Sequence, residues 1–358
     1  MKQESIMWEY ISQEPDVLGH LLENPRIAEL AGRIGKTLDC VYFVAHGSSF
    51  NAAMTVSDFL SRNAKLRVYV YTPANFRYNA ASLAQEAADR TLVAAISQTG
   101  TSSGAIDALR SAKAMGFSTL GITDVEDSPI ARESDHTLIL GCGEEDSNAK
   151  TKGYSATLMV LMLLAVHLGC VRDTLNEESA NAIRRELAEQ IRLHPKILEQ
   201  TLSWCRTNSF GSTLKDLYVL GYGMNFGTAM EGQLKLMETM CIPTMFNDIG
   251  EFSHGMHRSI TPDSTVLLIA APHPLQTLTK QTAAYLQSIQ AHTIFLDATG
   301  QESAEDAVIQ VPSHPLTQSV LLLTLVIQIL SVYGPEHWGL DPNRDAHNDF
   351  TEVVHTRV

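Results

Sequence analysis

The chain has 358 residues, with 40 acidic and 26 basic side chains, so its formal net charge at pH 7 is −14. An excess of negative charge repels nucleic-acid backbones and anionic lipid surfaces, which argues against a nucleic-acid or membrane partner. The length suits about two domains. The five cysteines are scattered without a Cys-x-x-Cys pair, which indicates neither a disulfide framework nor a zinc knuckle and favours the reducing cytoplasm.

The first half of the chain predicts an α/β domain. Residues 1–34 are predicted to form a helical lead-in. They lack the charged segment followed by an apolar one that is typical of a signal peptide, so we expect no export signal. From about residue 35, short apolar runs rich in β-formers alternate with segments of helical spacing, which is the pattern of a parallel sheet covered by helices. The predicted strands are 41–45, 68–72, 91–96, 118–123 and 136–140.

The second half repeats this alternation. Residues 173–204 are charged and helical, which is typical of a connector that faces solvent. The sequence therefore predicts a domain over 35–172, a second one over 205–338, and a tail over 339–358. The elements predicted in the second domain are strands at 217–221, 265–271, 292–296 and 307–311 and a helix at 225–240.

Of two apolar stretches, 156–169 and 315–333, the second is long enough to permit a membrane span. Polar residues such as Thr317, Gln318 and Gln328 interrupt the second stretch, and the first one resembles it. We therefore predict two buried core helices and no membrane span.

Two donor-rich turns predict a phosphate site. Residues 97–102, Ser-Gln-Thr-Gly-Thr-Ser, connect strand 91–96 to a helix, and residues 46–49, His-Gly-Ser-Ser, follow strand 41–45. A helix start offers unpaired N–H groups and partial positive charge, and parallel sheets bind ligands where the strand order reverses. The two turns are expected to hold one anion with uncharged donors. The alternative is a pair of ordinary strand-to-helix turns.

The second half lacks such a turn, because residues 271–277 contain two prolines that cannot donate N–H bonds. We expect the phosphate site in the first half only, with other chemistry in the second.

Several motifs together resemble the sugar isomerase (SIS) domain family from about residue 35 onward. The tandem arrangement is similar to the isomerase portion of glucosamine-6-phosphate synthase and to the phosphosugar-amine deglycases. The resemblance implies two doubly wound parallel-sheet SIS domains in tandem, a phosphosugar substrate and no cofactor. The motifs are 47–49 Gly-Ser-Ser, 97–102, 151–154 Thr-Lys-Gly-Tyr, 231–238 with Glu at both ends, and 250–255 Gly-Glu-Phe-Ser-His-Gly.

The resemblance also implies roles for individual residues. Glu238 matches the base that moves a proton between C1 and C2. His254 matches the histidine of ring opening, which in the synthase reaches in from a neighbouring subunit, so a homodimer or higher homo-oligomer is expected. The residues implied to bind phosphate and substrate are Ser48, Ser49, Ser97, Gln98, Thr99, Ser102, Lys152 and Lys235.

The residues themselves permit this chemistry. A proton shift between adjacent carbons needs one positioned carboxylate and a second group at the ring or carbonyl oxygen. Glu231, Lys235 and Glu238 share one helix face, so the lysine can tune either acid. The alternatives are a surface role for Glu238 and a structural role for His254. The acids and histidines at 248, 251, 254 and 257 could also suggest a metal, but the proton transfer needs none.

Two departures from the synthase direct the functional hypothesis. The resemblance to the SIS domains begins at about residue 35, so we expect no glutaminase chemistry. The synthase's closing lysine falls on Thr351 or Glu352, and no lysine follows Lys280. A substrate that already carries nitrogen makes that lysine dispensable, which favours a deglycase for 6-phosphorylated hexose–amino acid adducts of the fructoselysine or glucoselysine type. The alternatives are an aldose–ketose or aminosugar phosphate isomerase or deaminase and, outside catalysis, a phosphosugar sensor.

Overall fold

The computed structural model describes residues 5–212, 214–303 and 305–354, except for the side chains at 82, 351 and 352. The described residues form two compact units. The N-sheet unit comprises 16–145, 152–184 and 345–354, and the C-sheet unit comprises 5–15, 146–151 and 185–344. The predicted domain boundaries stay predictions. Each unit also includes short segments that lie outside the corresponding predicted domain, such as 146–151 in the C-sheet unit.

The N-sheet unit contains a five-stranded parallel sheet in the order β2-β1-β3-β4-β5. Its strands are β1 (Cys40–Val44), β2 (Arg67–Tyr71), β3 (Thr91–Ile96), β4 (Ser118–Thr123) and β5 (His136–Ile139). Its helices after β1 are α3 (Gly47–Ala64), α4 (Pro73–Tyr78), α5 (Ser103–Ala114), α6 (Pro129–Glu133) and α7 (Lys152–Val171). Short 3₁₀ turns lie at Ala81–Gln85 and Ala88–Arg90.

The C-sheet unit has the strand order β10-β9-β8-β6-β7, which repeats the order of the first sheet when it is read from the other end. Its strands are β6 (Leu217–Gly221), β7 (Thr244–Asp248), β8 (Thr265–Ala270), β9 (His292–Asp297) and β10 (Val308–Gln310). Its helices are α9 (Met224–Met240), α10 (Gln276–Ser288) and α11 (Val320–His337). All pairings are parallel, which confirms the prediction of two doubly wound α/β domains.

Four helices complete the described chain. They are α1 (Ile6–Leu22), α2 (Pro25–Ile34), α8 (Glu177–Thr207) and α12 (Phe350–Val353). Asn24 starts α2, because its side chain accepts a hydrogen bond from Arg26 N and Pro25 occupies the first helical position. The predicted lead-in is therefore helical over its described residues. Residues 1–4 lie outside the described part.

The two apolar stretches form α7 and α11. Both helices are long and apolar enough to cross a membrane by length and composition, but 83% of each apolar window is buried inside the protein. Helix α7 packs on α3 in the N-sheet unit, and α11 packs on α9 in the C-sheet unit. A helix that is apolar on all sides is buried when neighbours cover every face. This burial agrees with the prediction of core helices.

Helix α8 corrects the expectation of a solvent-facing connector. Leu187, Ile197 and Cys205 are at most 1% exposed. Gln190 Nε2 donates to Thr317 Oγ1 at 2.7 Å, and Gln190 Oε1 accepts from Leu321 N at 3.2 Å. From residue 185 onward the helix therefore packs as part of the C-sheet unit. The many charged residues of α8 masked, in the sequence, the apolar residues at three- and four-residue spacing that form its one buried face.

Strand β7 was missed in the sequence analysis, which placed no strand between residues 240 and 265. It is an edge strand, and only its first residue, Thr244, is fully buried. Edge strands need no continuous apolar run, and Asn247 and Asp248 are weak strand formers. The strand matters here because it leads directly into the loop that carries His254.

Candidate active site

The strand order of the N-sheet unit reverses between β1 and β3, and the two donor-rich turns leave the sheet there. Val44 pairs with Ala95, so the two strands end side by side. A methyl group placed on Gly104, at the start of α5, would lie 3.3 Å from His46 Cε1. The turn after β1 and the turn after β3 therefore adjoin at the point where such sheets bind ligands.

The turn after β3 depends on a glycine. Gly100 has φ +68°, and a Cβ atom there would lie 2.2 Å from Ser128 Oγ. Only glycine fits this left-handed, crowded position. Gly100 N donates to Ser97 O at 3.0 Å and its carbonyl accepts from Ile130 N at 3.1 Å, which fixes the turn. The predicted phosphate residues of this turn are thereby held on a rigid frame.

The helices that follow the two turns begin without side-chain caps. Ser102 precedes α5 and His46 precedes α3, and neither side chain makes a capping hydrogen bond. The first N–H groups of both helices can therefore turn toward an anion. Burial lowers the pKa of His46, so its ring is neutral at neutral pH and adds no charge to the turn after β1.

Gln98 is oriented by Glu145, a residue that the sequence analysis did not select. Gln98 Nε2 donates to Glu145 Oε2 at 3.3 Å, and the same oxygen accepts from Gly153 N at 3.0 Å. A Cβ on Gly153 would lie 2.4 Å from the Gln98 side chain, so the glycine permits this approach. Lys152, the first residue of α7, is 5% exposed beside this cluster.

Cys142 also lies against Gln98, whose Nε2 is 3.5 Å from its sulfur. Burial and the neighbouring Asp124 carboxylate raise the pKa of the Cys142 thiol. The thiol is therefore neutral, and it is not a nucleophile at neutral pH.

The other predicted residues lie in the C-sheet unit, on and after α9. Lys235 Nζ is 2.9 Å from Glu231 Oε1, and both side chains are at most 1% exposed. Such a buried pair keeps both charges only when each compensates the other. The structure thus places the Lys235 ammonium in an ion pair within its own helix, and its role at the substrate stays a prediction.

Glu238 lies one turn further along α9 and is partly exposed. Burial raises the pKa of Glu238 from 4.5 to about 7, Glu231 adds to this rise, and Lys235 and Lys150 oppose it. A carboxyl group with a pKa near neutrality can both accept and return a proton at physiological pH. Glu238 therefore has the protonation behaviour that a proton-transfer residue needs.

His254 ends a short 3₁₀ turn, Glu251–His254, that follows β7, and its side chain is exposed. Asp248 Oδ1 fixes this loop by accepting from Gly250 N at 2.7 Å and Glu251 N at 3.3 Å. Over the ranges 5–212, 214–303 and 305–354, no three His, Cys, Asp or Glu side chains form a group that could hold a metal ion.

The turn after β8 differs from its counterpart after β3. Tyr222 donates to Ala271 O at 2.7 Å and accepts from Ala271 N at 2.9 Å, and its ring lies 5.0 Å from the His273 ring. The N–H group that leaves β8 is therefore already bound within the protein. The expectation of a phosphate site in the first half only stays a prediction.

The structure divides the predicted site residues into two groups. Those in the N-sheet unit are Ser48, Ser49, Ser97, Gln98, Thr99, Ser102 and Lys152, and those in the C-sheet unit are Lys235, Glu238 and His254. Glu145 and Lys150, which lie shortly before the motif at 151–154, were not selected from the sequence. Their proximity to that motif was the only available signal. Thr351 and Glu352, where the synthase's lysine aligns, lie outside the described side chains.

The chain resembles known proteins along most of its length. The SIS domain profile matches residues 39–167 and 213–333. Glutamine–fructose-6-phosphate aminotransferase (isomerizing) of Pseudomonas putida is 31% identical over 94% of this chain and 56% of its own length. The Clostridium tetani enzyme of the same name is 28% identical over 85% of this chain and 50% of its own length. This chain thus spans about half of each relative.

A solved structure, the C-terminal domain of glucosamine-fructose-6-phosphate aminotransferase from Francisella tularensis, superposes with a TM-score of 0.87 at 20% identity. The match covers 96% of this chain and 99% of that one, and it shows a common fold. Together with the profile match to both halves, it leads to one conclusion: the chain belongs to the SIS domain family.

Proposed function

We propose that the chain is an enzyme that moves a proton between C1 and C2 of a hexose 6-phosphate or aminohexose 6-phosphate, as an isomerase or deaminase. The observation that carries this proposal is Glu238, a carboxyl group whose pKa lies at about 7. The similarity to the isomerase part of the aminotransferases supports a phosphosugar substrate. No metal or cofactor is required by this chemistry.

In this proposal the phosphate binds to the turns after β1 and β3. The uncapped helix starts at Ser102 and His46 supply backbone N–H groups, and the serine, threonine and Gln98 side chains add neutral donors. Gln98 keeps its orientation because Glu145 accepts from its amide. In this arrangement neutral hydrogen-bond donors hold the phosphate dianion.

Glu238 then acts at the other end of the open-chain sugar. The ionised carboxylate removes the proton from one of the two carbons and leaves an enediol, or an enaminol when nitrogen is present. The protonated carboxyl returns the proton to the neighbouring carbon. His254 exchanges a proton with the ring or carbonyl oxygen. In a deaminase, water then adds to the imine and ammonia leaves.

A second candidate is the deglycase reaction. Its specific support is the closing segment 341–353, which carries Arg344 but no lysine to capture a keto sugar. In a 6-phosphofructosyl amine, Glu238 removes a C1 proton, reprotonation at C2 gives an aldimine, and water releases glucose 6-phosphate and the amine. The resemblance to the aminotransferases supports the first candidate better.

The proposal extends to assembly and location. If His254 acts at a neighbour's substrate, the active form is a homodimer or a higher homo-oligomer. A cytoplasmic protein suits the scattered free cysteines. Analytical ultracentrifugation combined with mixed assemblies of His254→Ala and Glu238→Gln protomers tests the assembly, because complementation between two inactive variants requires a shared site.

The test of the function is a substrate panel assayed for product. The panel contains fructose 6-phosphate, glucose 6-phosphate, glucosamine 6-phosphate, 6-phosphofructosyl-lysine and its 2-amino isomer. Interconversion of the hexose phosphates or release of ammonia from glucosamine 6-phosphate supports the first candidate. Release of lysine with hexose 6-phosphate supports the deglycase. Tight binding of these compounds without turnover contradicts both and indicates a sensor.

A further inference from the structure

The side-chain amide of Gln98 has a defined orientation, because its neighbours distinguish its two ends. Gln98 Nε2 donates to Glu145 Oε2 at 3.3 Å, and Gly153 N donates to the same carboxylate oxygen at 3.0 Å. A backbone N–H group can only donate, so Glu145 Oε2 acts as an acceptor there, and the group that faces it must be a donor. The amino end of Gln98 therefore faces Glu145, and its carbonyl oxygen, Oε1, cannot take that place.

The amino end of Gln98 is engaged twice within the N-sheet unit. Besides the contact with Glu145, Nε2 donates to Cys142 Sγ at 3.5 Å. Cys142 is held in place because its backbone N–H donates to Asp124 Oδ1 at 2.9 Å. The Gln98 carbonyl accepts from Asp124 N, also at 2.9 Å. Gln98 and its two partners thus form a fixed group beside the carboxyl ends of β3 and β4.

The carbonyl oxygen of the Gln98 side chain is open. Gln98 Oε1 accepts no hydrogen bond from any residue that the structure describes, and it stays accessible to solvent. Gly153 leaves room beside the amide, since a Cβ atom on this glycine would lie 2.4 Å from Oε1. The side chain as a whole is partly exposed within the turn at 97–102. A ligand at this turn therefore meets the acceptor end of Gln98.

An acceptor oxygen does not bind a phosphate dianion, because the phosphate oxygens are acceptors as well. Gln98 Oε1 needs a hydroxyl or an ammonium group of the ligand. The donor role that the phosphate cradle gives to this side chain requires its amide to leave Glu145 or Cys142, whereas the acceptor role keeps both contacts. Glu145 is only 6% exposed, so the loss of a donor to its carboxylate is costly.

The position of the phosphate determines which sugar hydroxyl comes next to Gln98. Ser97 and Thr99, on either side of Gln98 in the sequence, belong to the proposed phosphate turn. In a hexose 6-phosphate the phosphate is on C6, so the next carbon is C5. The C5 oxygen of the open-chain sugar is a hydroxyl group that can donate. In glucopyranose and in fructofuranose the same oxygen closes the ring and carries no hydrogen.

We propose that Gln98 Oε1 accepts a hydrogen bond from the C5 hydroxyl of the open-chain sugar phosphate, and that Glu145 is the positioning residue that holds the amide in this orientation. The inference rests on the proposed function for the identity of the ligand, and it moves the Gln98 side chain from the phosphate to the sugar. The helix N–H groups and the serine and threonine hydroxyls remain for the phosphate. Gln98 thereby favours the open chain, in which C1 and C2 can exchange a proton, over the ring, whose C5 oxygen would face another acceptor.

The test uses two sugar phosphates without a carbonyl group, which bind but cannot be turned over. Glucitol 6-phosphate is an open chain with the C5 hydroxyl, and 5-deoxyglucitol 6-phosphate lacks that hydroxyl. Isothermal titration calorimetry gives the dissociation constant of each compound. Wild type binds glucitol 6-phosphate about 2- to 12-fold more tightly, which corresponds to one net hydrogen bond. Equal affinities overturn the proposal.

Gln98→Met removes the acceptor and nearly keeps the shape of the side chain. We expect it to bind the two compounds equally and to keep the wild-type affinity for inorganic phosphate. Gln85→Met, on the exposed 3₁₀ turn Ala81–Gln85 of the same unit, is the matched control and keeps the wild-type preference. If Gln98→Met binds inorganic phosphate and both compounds more weakly by the same factor, the side chain binds the phosphate and the proposal is overturned.

Two variants of Glu145 test the positioning role. Glu145→Gln keeps a carbonyl oxygen that accepts from Gly153 N and Gln98 Nε2, so the preference for the hydroxyl is retained. Glu145→Met releases the amide, and the preference falls toward one. A structural defect that weakens both compounds alike does not change this ratio. An unchanged ratio in Glu145→Met overturns the role of Glu145. If Glu145→Met does not fold, Glu145→Ala is measured in its place with the same two outcomes.

These measurements separate the inference from the proposed function. A wild-type protein that binds both glucitol compounds equally overturns the inference, whatever the substrate panel shows. A wild-type protein that prefers the C5 hydroxyl but turns over no member of the panel contradicts the proposed enzyme and supports the acceptor role of Gln98.

Discussion

Lys235 Nζ lies 2.9 Å from Glu231 Oε1 inside the C-sheet unit, and neither side chain is more than 1% exposed. The pair occupies adjacent turns of α9, with Glu238 on the next turn. The two buried charges compensate each other, so the pair forms an ionic contact within α9 directly before the proposed base, Glu238.

The first prediction concerns this pair. Glu231→Gln leaves the Lys235 ammonium buried without its partner, which costs about 3–5 kcal/mol of unfolding free energy. The double variant Glu231→Gln with Lys235→Met removes both charges and recovers part of that loss. Urea unfolding of the two single variants, the double variant and wild type forms a double-mutant cycle. Additive losses in the cycle would show that the two side chains do not interact.

Glu238→Gln removes the proposed base with little change of shape. We expect kcat on the identified substrate to fall by about 10²–10⁴-fold, because a positioned general base contributes about that factor. Affinity for the sugar phosphate, measured by isothermal titration calorimetry, stays near that of wild type. Glu178→Gln on the exposed start of α8 serves as the matched control and keeps full activity. A Glu238→Gln protein with wild-type kcat contradicts the assignment.

Stability also depends on the protonation of Glu238. Burial raises its pKa from 4.5 to about 7 in the folded protein, so between these values the folded state holds a proton that the unfolded state has released. Wild type therefore loses stability relative to Glu238→Gln as the pH rises from 4.5 to 7. The difference in unfolding free energy between the two proteins is measured by urea titration at intervals across this range. A difference that is constant with pH refutes the raised pKa.

The phosphate cradle predicts a strict requirement for Gly100. In Gly100→Ala, a Cβ atom would meet Ser128 Oγ at 2.2 Å at a backbone φ of +68°. The backbone term alone costs roughly 1–3 kcal/mol, and displacement of the turn weakens sugar phosphate binding. Gly32→Ala in α2 is the control, since nothing lies within 4 Å of its added methyl group. The control stays folded and binds normally; equal binding by Gly100→Ala would exclude this turn as the phosphate site.

The sequence correctly predicted those strands and helices whose structure follows from the local pattern of apolar and polar residues. Strand β3 occupies Thr91–Ile96, as predicted, because a central parallel strand is buried on both faces and reads as one apolar run. The strand order reverses between β1 and β3, as the two donor-rich turns indicated. The exposed edge strand β7 has no such pattern, and it was missed.

The parts that escaped prediction depend on contacts between distant residues. Glu145 orients Gln98 across 47 positions of the sequence, and Asn148 reaches Asn343 across 195. The raised pKa of Glu238 likewise results from folding, because burial is its largest cause. Hydrophobic periodicity carries no information about such pairs. The sequence could thus suggest candidate reacting side chains and the nearby lysine on the same helix, but not the partners that come from distant segments.

The most direct test of the central claim is proton exchange at carbon. The protein is incubated in D₂O with fructose 6-phosphate, glucose 6-phosphate or glucosamine 6-phosphate, and the C1 and C2 positions are followed by ¹H NMR. The account predicts deuterium incorporation at C1 or C2 by wild type, and none by Glu238→Gln, even when net conversion is small. Incorporation of deuterium at equal rates by wild type and Glu238→Gln would contradict Glu238 as the base that removes the proton.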